Sequence, residues 1–517
     1  MKLLSGKSEV RDASRTFLRA LRGIASTVLR QVGDDLRRIG NRDYFRRFPV
    51  STRVLAARFE QAIERIPERD APRLRMHWPA VYESLVLESQ RCGRSIYQLS
   101  EQLTALASGF HHVQAAGTRG VPEPGRSLEV LFVTGMFPAI ESGGGLRVFD
   151  MINALARRGH RMSLYSPGEQ DRRARSLALL EGSLTHHESV GASRIVPGDF
   201  QLWLEQSGKR FDAIHYVWSG AEVIEAGRPF TTNSVVELIE SLTRRSLMDL
   251  ELALAAGDAV ALARAIVTFI DNWQTEQRSI AAADHVVTVT AVDAEFTSRV
   301  FGLERVEVVP TGLSPIVLGQ RSAAVVAGAP LHHESAIFLG NYDHRPNKDA
   351  VRWFLHNVHP KVLEVLPSFR FIVAGAGELS ELKREFRNLA SVEFLGEVQD
   401  LVPTLQSSRI CVAPLVSGAG GRLKINQYSA ASRPTVSTSI GVSGSPYEHG
   451  KSILIADAPG EFATQIVRLL TDADLYNRVR DSASEVALKH FSWAPFIRDL
   501  EAIYRGGSGS AHEGVAH

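Results

Sequence analysis

Between Cys411 and Ile440 the chain reads CVAPLVSGAGGRLKINQYSAASRPTVSTSI. A short apolar run leads into a glycine turn, a segment of helical composition comes next, and a second β-branched run begins after Pro434. Few folds accommodate that order. Proline disfavours helical backbone in the residue before it, so the helix has to stop at Arg433, and Thr435 to Thr438 have the composition of a buried strand. Strand, glycine turn, helix and strand make up a nucleotide-binding unit of an open, parallel α/β sheet.

The residues inside the turn indicate its ligand. Gly418, Gly420 and Gly421 let backbone N–H groups come close to an anion, and a helix opening there adds its positive end. Arg422 and Lys424 contribute full charges. Two positions apart, they do not share a helix face, so at least one acts from the turn, which suits a diphosphate held from two sides. Taken alone, the same turn is also compatible with a solvated loop carrying ordinary surface charge.

Upstream, Leu128 to Thr134 reads as a buried strand, succeeded by Gly143, Gly144 and Gly145 in a loop, a helix from Leu146 to Arg157 and a strand from Arg161 to Tyr165. Phe211 to Trp218 is another strand carrying His215, for which a structural place is the ordinary reading and a site beside a cleft the sharper one. Residues 234–283 read as helical, an insertion whose Glu237, Glu240 and Arg244 would reach an acceptor or lie on a solvated face. Asp284 to Thr290 and Val306 to Pro310 are strands around a helix from Ala291 to Phe301. A second doubly wound domain opens at Ala336 to Gly340, where Asn341, a helix-capping Asn347, and Gly375 after the next strand complete a nucleotide crevice.

This block resembles the donor-binding signature of the family-4 retaining glycosyltransferases of the GT-B fold: a Gly-rich turn, an Arg/Lys pair, and a strand of the form small-x-Pro-Val-Val-x-Thr. The phrase that ends in V-E-V-V-P-T-G resembles the close of that family's N-terminal domain, with Glu276, Asp284, Pro310 and Gly312 in matching places. The resemblance covers residues 128–505 and implies an α/β, GT-B architecture, two doubly wound Rossmann-like domains facing across a cleft behind an all-α N-terminal extension. It divides the chain into a helical extension (1–113), a linker (114–127), an acceptor-side domain (128–312), a hinge (313–333), a nucleotide-sugar domain (334–490), a helix crossing back (491–505) and a disordered tail (506–517).

The implied activity is transfer of a sugar from a nucleotide-diphosphate sugar to a glycan, lipid-linked glycan or protein, with retention and without metal or other cofactor. Arg422, Lys424 and His215 would serve catalysis, while Gly143, Gly144, Gly340, Asn341, Gly375, Gly420, Gly421 and Gln427 would hold the donor. The sequence departs from the family at its paired glutamates, which fall on Ala419 and Gln427. Gln427 stands where a carboxylate normally receives the ribose hydroxyls; its amide keeps an acceptor oxygen but loses charge assistance. That departure motivates a second reading, a silent relative that binds nucleotide sugar or a partner protein. NAD-dependent oxidoreduction is disfavoured, because no strand leads into G-x-G-x-x-G with an acidic residue some way on.

Composition sets outer bounds. At 517 residues and 44% hydrophobic, the chain has material for several packed domains, and Cys92 and Cys411 do not make a disulfide framework. No apolar run is long enough to span a bilayer and no His/Asp/Cys grouping has metal spacing, which sets the expectation of a cytoplasmic protein with no nucleic acid partner. Residues 1–60 hold 14 Lys and Arg against 6 Asp and Glu, a surplus of 8, so the remainder sums to −6. Such an arm, amphipathic around Phe17 to Leu36, is expected to pack on the enzyme body, to self-associate, or to touch an anionic membrane face peripherally.

Overall fold

The computed structural model describes residues 125–140, 142–167, 174–190, 194–256, 259–320, 332–398, 400–418 and 423–507. The expectations for residues 1–113, for most of the linker, and for the tail from 508 lie outside the described residues.

Thirteen strands among the described residues form two sheets. In the first, β1 (Glu129–Thr134), β2 (Arg161–Pro167), β3 (Leu184–Val190), β4 (Ala213–Val217), β5 (Ser234–Leu238), β6 (His285–Thr288) and β7 (Glu307–Val308) lie in the order β3-β2-β1-β4-β5-β6-β7, all parallel. In the second, β8 (His332–Leu339), β9 (Arg370–Ala374), β10 (Val392–Gly396), β11 (Ser408–Ala413), β12 (Thr435–Ser437) and β13 (Leu454–Ile455) run β10-β9-β8-β11-β12-β13, again parallel. Both are doubly wound. Strand order reverses between β1 and β4 in one sheet and between β8 and β11 in the other, which is where such sheets open a ligand crevice. Near-continuous Val, Ile and Phe runs such as Val130 to Val133 and Phe371 to Ala374 are buried, as strands covered by helices on both faces must be.

Two features differ from the sequence expectations. The glycine triplet is not a loop before a helix, since α1 (Gly143–Arg157) begins at Gly143 with Ser142 as its N-cap, Oγ accepting from Gly145 N at 3.1 Å. The helical insertion starts with α2 (Leu242–Ala256), not at 234: Ser234–Leu238 is β5, every residue of it buried. Alternation is absent because both faces of the strand are covered, which leaves length and flanks as weak guides. Glu237 is therefore a core residue, and not a residue of a helix surface.

Both sheets belong to one compact unit, made of the described parts of 114–241, 278–298 and 303–517; residues 242–277 and 299–302 group separately. Within that second group α2 has its first N–H groups held by Glu276, whose carboxylate accepts from Leu242 N and, at 3.2 Å, from Thr243 N.

A buried polar network fixes α1. Arg147 is 1% exposed and donates to Glu237 through Nε at 2.7 Å and Nη2 at 3.2 Å, to Val309 O at 2.8 Å and to Pro310 O at 2.9 Å. Burial by itself would raise the Glu237 carboxyl, but Arg147 and His215 outweigh it and hold the group down to about 2. Three residues along α1, Asp150 accepts from the Ser314 hydroxyl at 3.1 Å. The crossing segment 309–314 is thus bound to the first domain by two side chains on one helix face.

Candidate functional site

In the second domain the central motif folds as its composition demands. The helix α3 (Arg345–Trp353) lies after β8, and after β11 residues 414–418 turn toward α4 (Leu423–Ala430). Ser432 then takes a left-handed φ of 56°, and β12 begins at Thr435. Tyr428 anchors α4 to the sheet, its hydroxyl accepting from Leu339 N at 2.8 Å, and Asn426 accepts from the Tyr447 hydroxyl at 3.0 Å. The last helix, α5 (Trp493–Tyr504), returns to the first domain: Asn233 Nδ2 donates to Ile503 O at 2.6 Å and Glu501 pairs with Arg158 and His160.

Lys424 stands in the first turn of α4. Its ammonium lies 2.7 Å from Asn347 Oδ1 and 4.3 Å from the centre of the buried Phe338 ring at the end of β8. Asn347 belongs to α3, and its Nδ2 donates to Asn341 O at 2.8 Å. That replaces the capping role expected for it: the N-cap is His344, and Asn347 instead ties the Gly340–Asn341 turn to the lysine. Gly375 closes the same corner with φ +127°, and a Cβ there would fall 1.8 Å from Gly340 O, so only glycine lets the turns after β8 and β9 meet. Gly340, Asn341, Gly375, Asn347 and Lys424 are therefore brought together at the switch point of the second sheet.

Gln427, one turn beyond Lys424, is 8% exposed, and among the described residues its amide has no hydrogen-bond partner. Gly420, Gly421 and Arg422, together with Ala419, lie outside the described residues.

Across from this corner is the start of α1. A Cβ on Gly143 would lie 3.5 Å from Leu423 Cδ2, and Leu423 packs against the first domain's core. The first turns of α1 and α4 therefore touch through the Leu423 side chain, and the first N–H groups of any helix have no partner within it. Glu240, just past β5, meets His344 at 3.3 Å, and Gly444 comes within 3.3 Å of Thr290, at the position a Cβ would take.

His215 does not join this site. It is fully buried on β4, stacked on Phe132 with ring centres 4.9 Å apart, with Nδ1 2.6 Å from the Tyr504 hydroxyl and Nε2 3.1 Å from Glu237. The catalytic role expected for it is corrected to a structural one. A central strand of a doubly wound sheet is covered on both faces, so a mid-strand histidine needs buried partners, and it finds them in β5 and α5.

One residue of this region is not announced by the sequence. Trp218 comes after β4 with φ 54°, a conformation costing a bulky side chain about 1–3 kcal/mol. It is half-buried. Nothing in FDAIHYVW signals that angle, which the neighbouring glycines impose in three dimensions.

Residues 333–472 match the family described as Glycosyl transferases group 1. Over this stretch the chain is similar to the group 1 glycosyl transferases. A 44.6 kDa protein of the cps region of Klebsiella pneumoniae, described as uncharacterized, is 28% identical over 181 residues, covering 34% of this chain and 45% of the relative. A phosphatidyl-myo-inositol mannosyltransferase of Mycobacterium leprae is 24% identical over 230 residues, or 42% of this chain and 58% of the relative. The chain thus spans about half the length of the curated relatives it matches. Among solved structures, sucrose-phosphate synthase from Thermosynechococcus elongatus superposes with a TM-score of 0.53 at 14% identity over 73% of this chain and 98% of that one, a likeness of fold. The matched stretch carries Lys424, Gln427 and the Gly340–Gly375 corner, and the paired Rossmann-like sheets are the GT-B arrangement.

Proposed function

We propose that the protein transfers a sugar from a nucleotide-diphosphate sugar to a hydroxyl-bearing acceptor, with retention of the anomeric configuration and without a metal ion. The observation that carries this reading is the Lys424 ammonium, held by Asn347 and Phe338 in the first turn of α4, next to the residue, Leu423, that meets Gly143 at the start of α1. Both helix ends favour an anion, and the lysine adds a full charge held in place by Asn347 and Phe338.

In this reading the bond between the anomeric carbon and the diphosphate oxygen breaks as the bond to the acceptor oxygen forms on the same face. The acceptor proton passes to the departing diphosphate. Lys424, Arg422 and the N–H groups of both helix ends take up the negative charge developing on that oxygen, the kind of electrostatic stabilisation that often dominates catalysis. Gln427 receives the ribose, and Gly340, Asn341 and Gly375 line the crevice beside it. The acceptor, a glycan, lipid-linked glycan or protein, lies on the first domain. The likeness to a mannosyltransferase puts hexose donors and lipid-linked polyols first among candidates.

A thermal-shift panel of UDP-, GDP-, dTDP- and ADP-sugars tests donor binding, and product analysis by NMR then reads the anomeric outcome. No stabilisation by any nucleotide sugar would overturn the proposal. Gln427 in place of a carboxylate favours one second reading, a homologue that binds the donor without transfer. Absence of donor hydrolysis and of transfer, with binding intact, would select it.

A further inference from the structure

The donor site leaves the switch point of the first sheet without a role. Strand order reverses between β1 and β4, and the rule for open α/β sheets puts a ligand crevice beyond their ends, where Gly135 directly follows β1 and Trp218 directly follows β4. Gly135 N donates to Val217 O at 2.8 Å, and a Cβ on Gly135 would lie 2.0 Å from Trp218 O. A Cβ on Gly144 would lie 2.5 Å from Trp218 Cζ2. One glycine therefore makes room for the tryptophan's backbone and another for its ring. The left-handed φ of 54° is held by this packing, and a strained aromatic kept in a ligand crevice calls for a function.

The chemistry of the place narrows the ligand. The indole is half-buried, so part of its surface faces solvent, and among the described residues its Nε1 has no hydrogen-bond partner. Gly144, against which it rests, is preceded by Gly143, the residue facing Leu423. The platform thus rests on the first turn of α1, one residue from the glycine that meets the Leu423 side chain. Ile239 borders the same glycine at 3.4 Å, and the Glu240 carboxylate comes next in the chain. A partly exposed indole suits the C–H face of a pyranose, and its N–H suits a hydroxyl of the same ring.

We infer that Trp218 is the platform of the acceptor subsite, carrying the apolar face of a pyranose ring so that one of its hydroxyls points at the donor's anomeric carbon. The inference rests on the glycosyl-transfer reading for its orientation, though ring binding itself does not depend on it.

Saturation-transfer difference NMR on the full chain tests this, with methyl α-D-mannopyranoside, methyl α-D-glucopyranoside and methyl α-D-galactopyranoside as probes, each with and without UDP or GDP. The expected result is saturation of ring C–H protons of at least one glycoside in the wild type. It should fall at least fivefold in Trp218→Leu, which fills the volume without a ring, and stay above half in Trp218→Phe. Trp218→Gly, which relieves the left-handed backbone, should lose the signal while keeping or raising the melting temperature. Equal saturation in wild type and Trp218→Leu, or none in the wild type, would overturn the subsite. Loss of base-proton saturation from the nucleotide in Trp218→Leu would reassign the ring to the nucleobase. If neither nucleotide binds while the glycoside effect depends on Trp218, the donor reading falls and the subsite stands.

Discussion

The Lys424 ammonium sits 2.7 Å from Asn347 Oδ1, a side chain that is itself bound to the Gly340–Asn341 turn by its other end. The charge is placed by a chain of contacts, not by the lysine's own rotamer. Replacing Lys424 with Ala should lower transfer by a factor on the order of 100 or more, since one preorganised group facing developing charge contributes about that much. The melting temperature should change little, because the ammonium caps a crevice and not a core. Lys424→Arg should not restore the rate, its planar fork being unable to keep both the Asn347 and Phe338 contacts. Arg422→Ala is expected to act in the same direction. Steady-state rates of both Ala variants within about threefold of wild type would remove the assignment.

Gln427 is buried with its amide unpartnered among the described residues. If that amide receives a ribose, Gln427→Leu should weaken nucleotide binding by about 1–3 kcal/mol, the cost of leaving buried hydroxyls without a partner. Gln427→Glu should tighten it through charge-assisted hydrogen bonds. Isothermal titration of the three forms with the best nucleotide reads the order directly. Equal affinities would take position 427 out of the donor site and move weight to the non-transferring homologue.

Chelation offers an independent check on how the diphosphate charge is met. With Lys424, Arg422 and two helix ends supplying it, transfer should be unchanged in EDTA. Loss of activity that Mg²⁺ or Mn²⁺ restores would show that protein groups are not sufficient.

Asp150 gives the stability a pH dependence. Burial pushes its carboxyl up to about 7, against the opposing pull of Ser314, Trp493 and Arg157. A carboxyl raised in the folded state favours the neutral form, so its stabilising effect is complete below the unfolded value of about 3.8 and is lost as pH rises to 7. A shift of this size corresponds to about 4 kcal/mol. Asp150→Asn keeps an oxygen for Ser314 and has no proton to lose, so its stability relative to wild type should rise between pH 4 and 7 and then level off. Urea denaturation of both proteins at pH 5 and pH 8 measures this, and parallel behaviour would show that Asp150 does not titrate in that window.

The strands and the glycine corners of this protein are legible in its residue order because their causes are local. Val130 to Val133 and Phe371 to Ala374 are apolar on both faces, Pro434 ends a helix wherever it stands, and Ala291 to Phe301 has periodicity of its own. Such signals are enough for the two doubly wound domains and for the helix that carries Lys424, whereas the return of the terminal helix is implied by the family resemblance and not by any local signal. Ser234–Leu238 looks helical in sequence because a strand buried on both sides lacks alternation, and only the pairing with β4 and β6 distinguishes it. Glu237 is a core residue only because Arg147, 90 positions away, and His215 reach it, and no sequence rule makes a lone glutamate buried. His215 is drawn out of the cleft by Tyr504 at the far end of the last helix. Trp218 has its left-handed backbone because Gly135 and Gly144 vacate the space around it. Local propensity and periodicity act over a few residues, and so they determine the elements and their order. Which buried charge finds a partner, and which aromatic is left facing a crevice, is decided by contacts between segments that are distant in the chain and close only after it has folded.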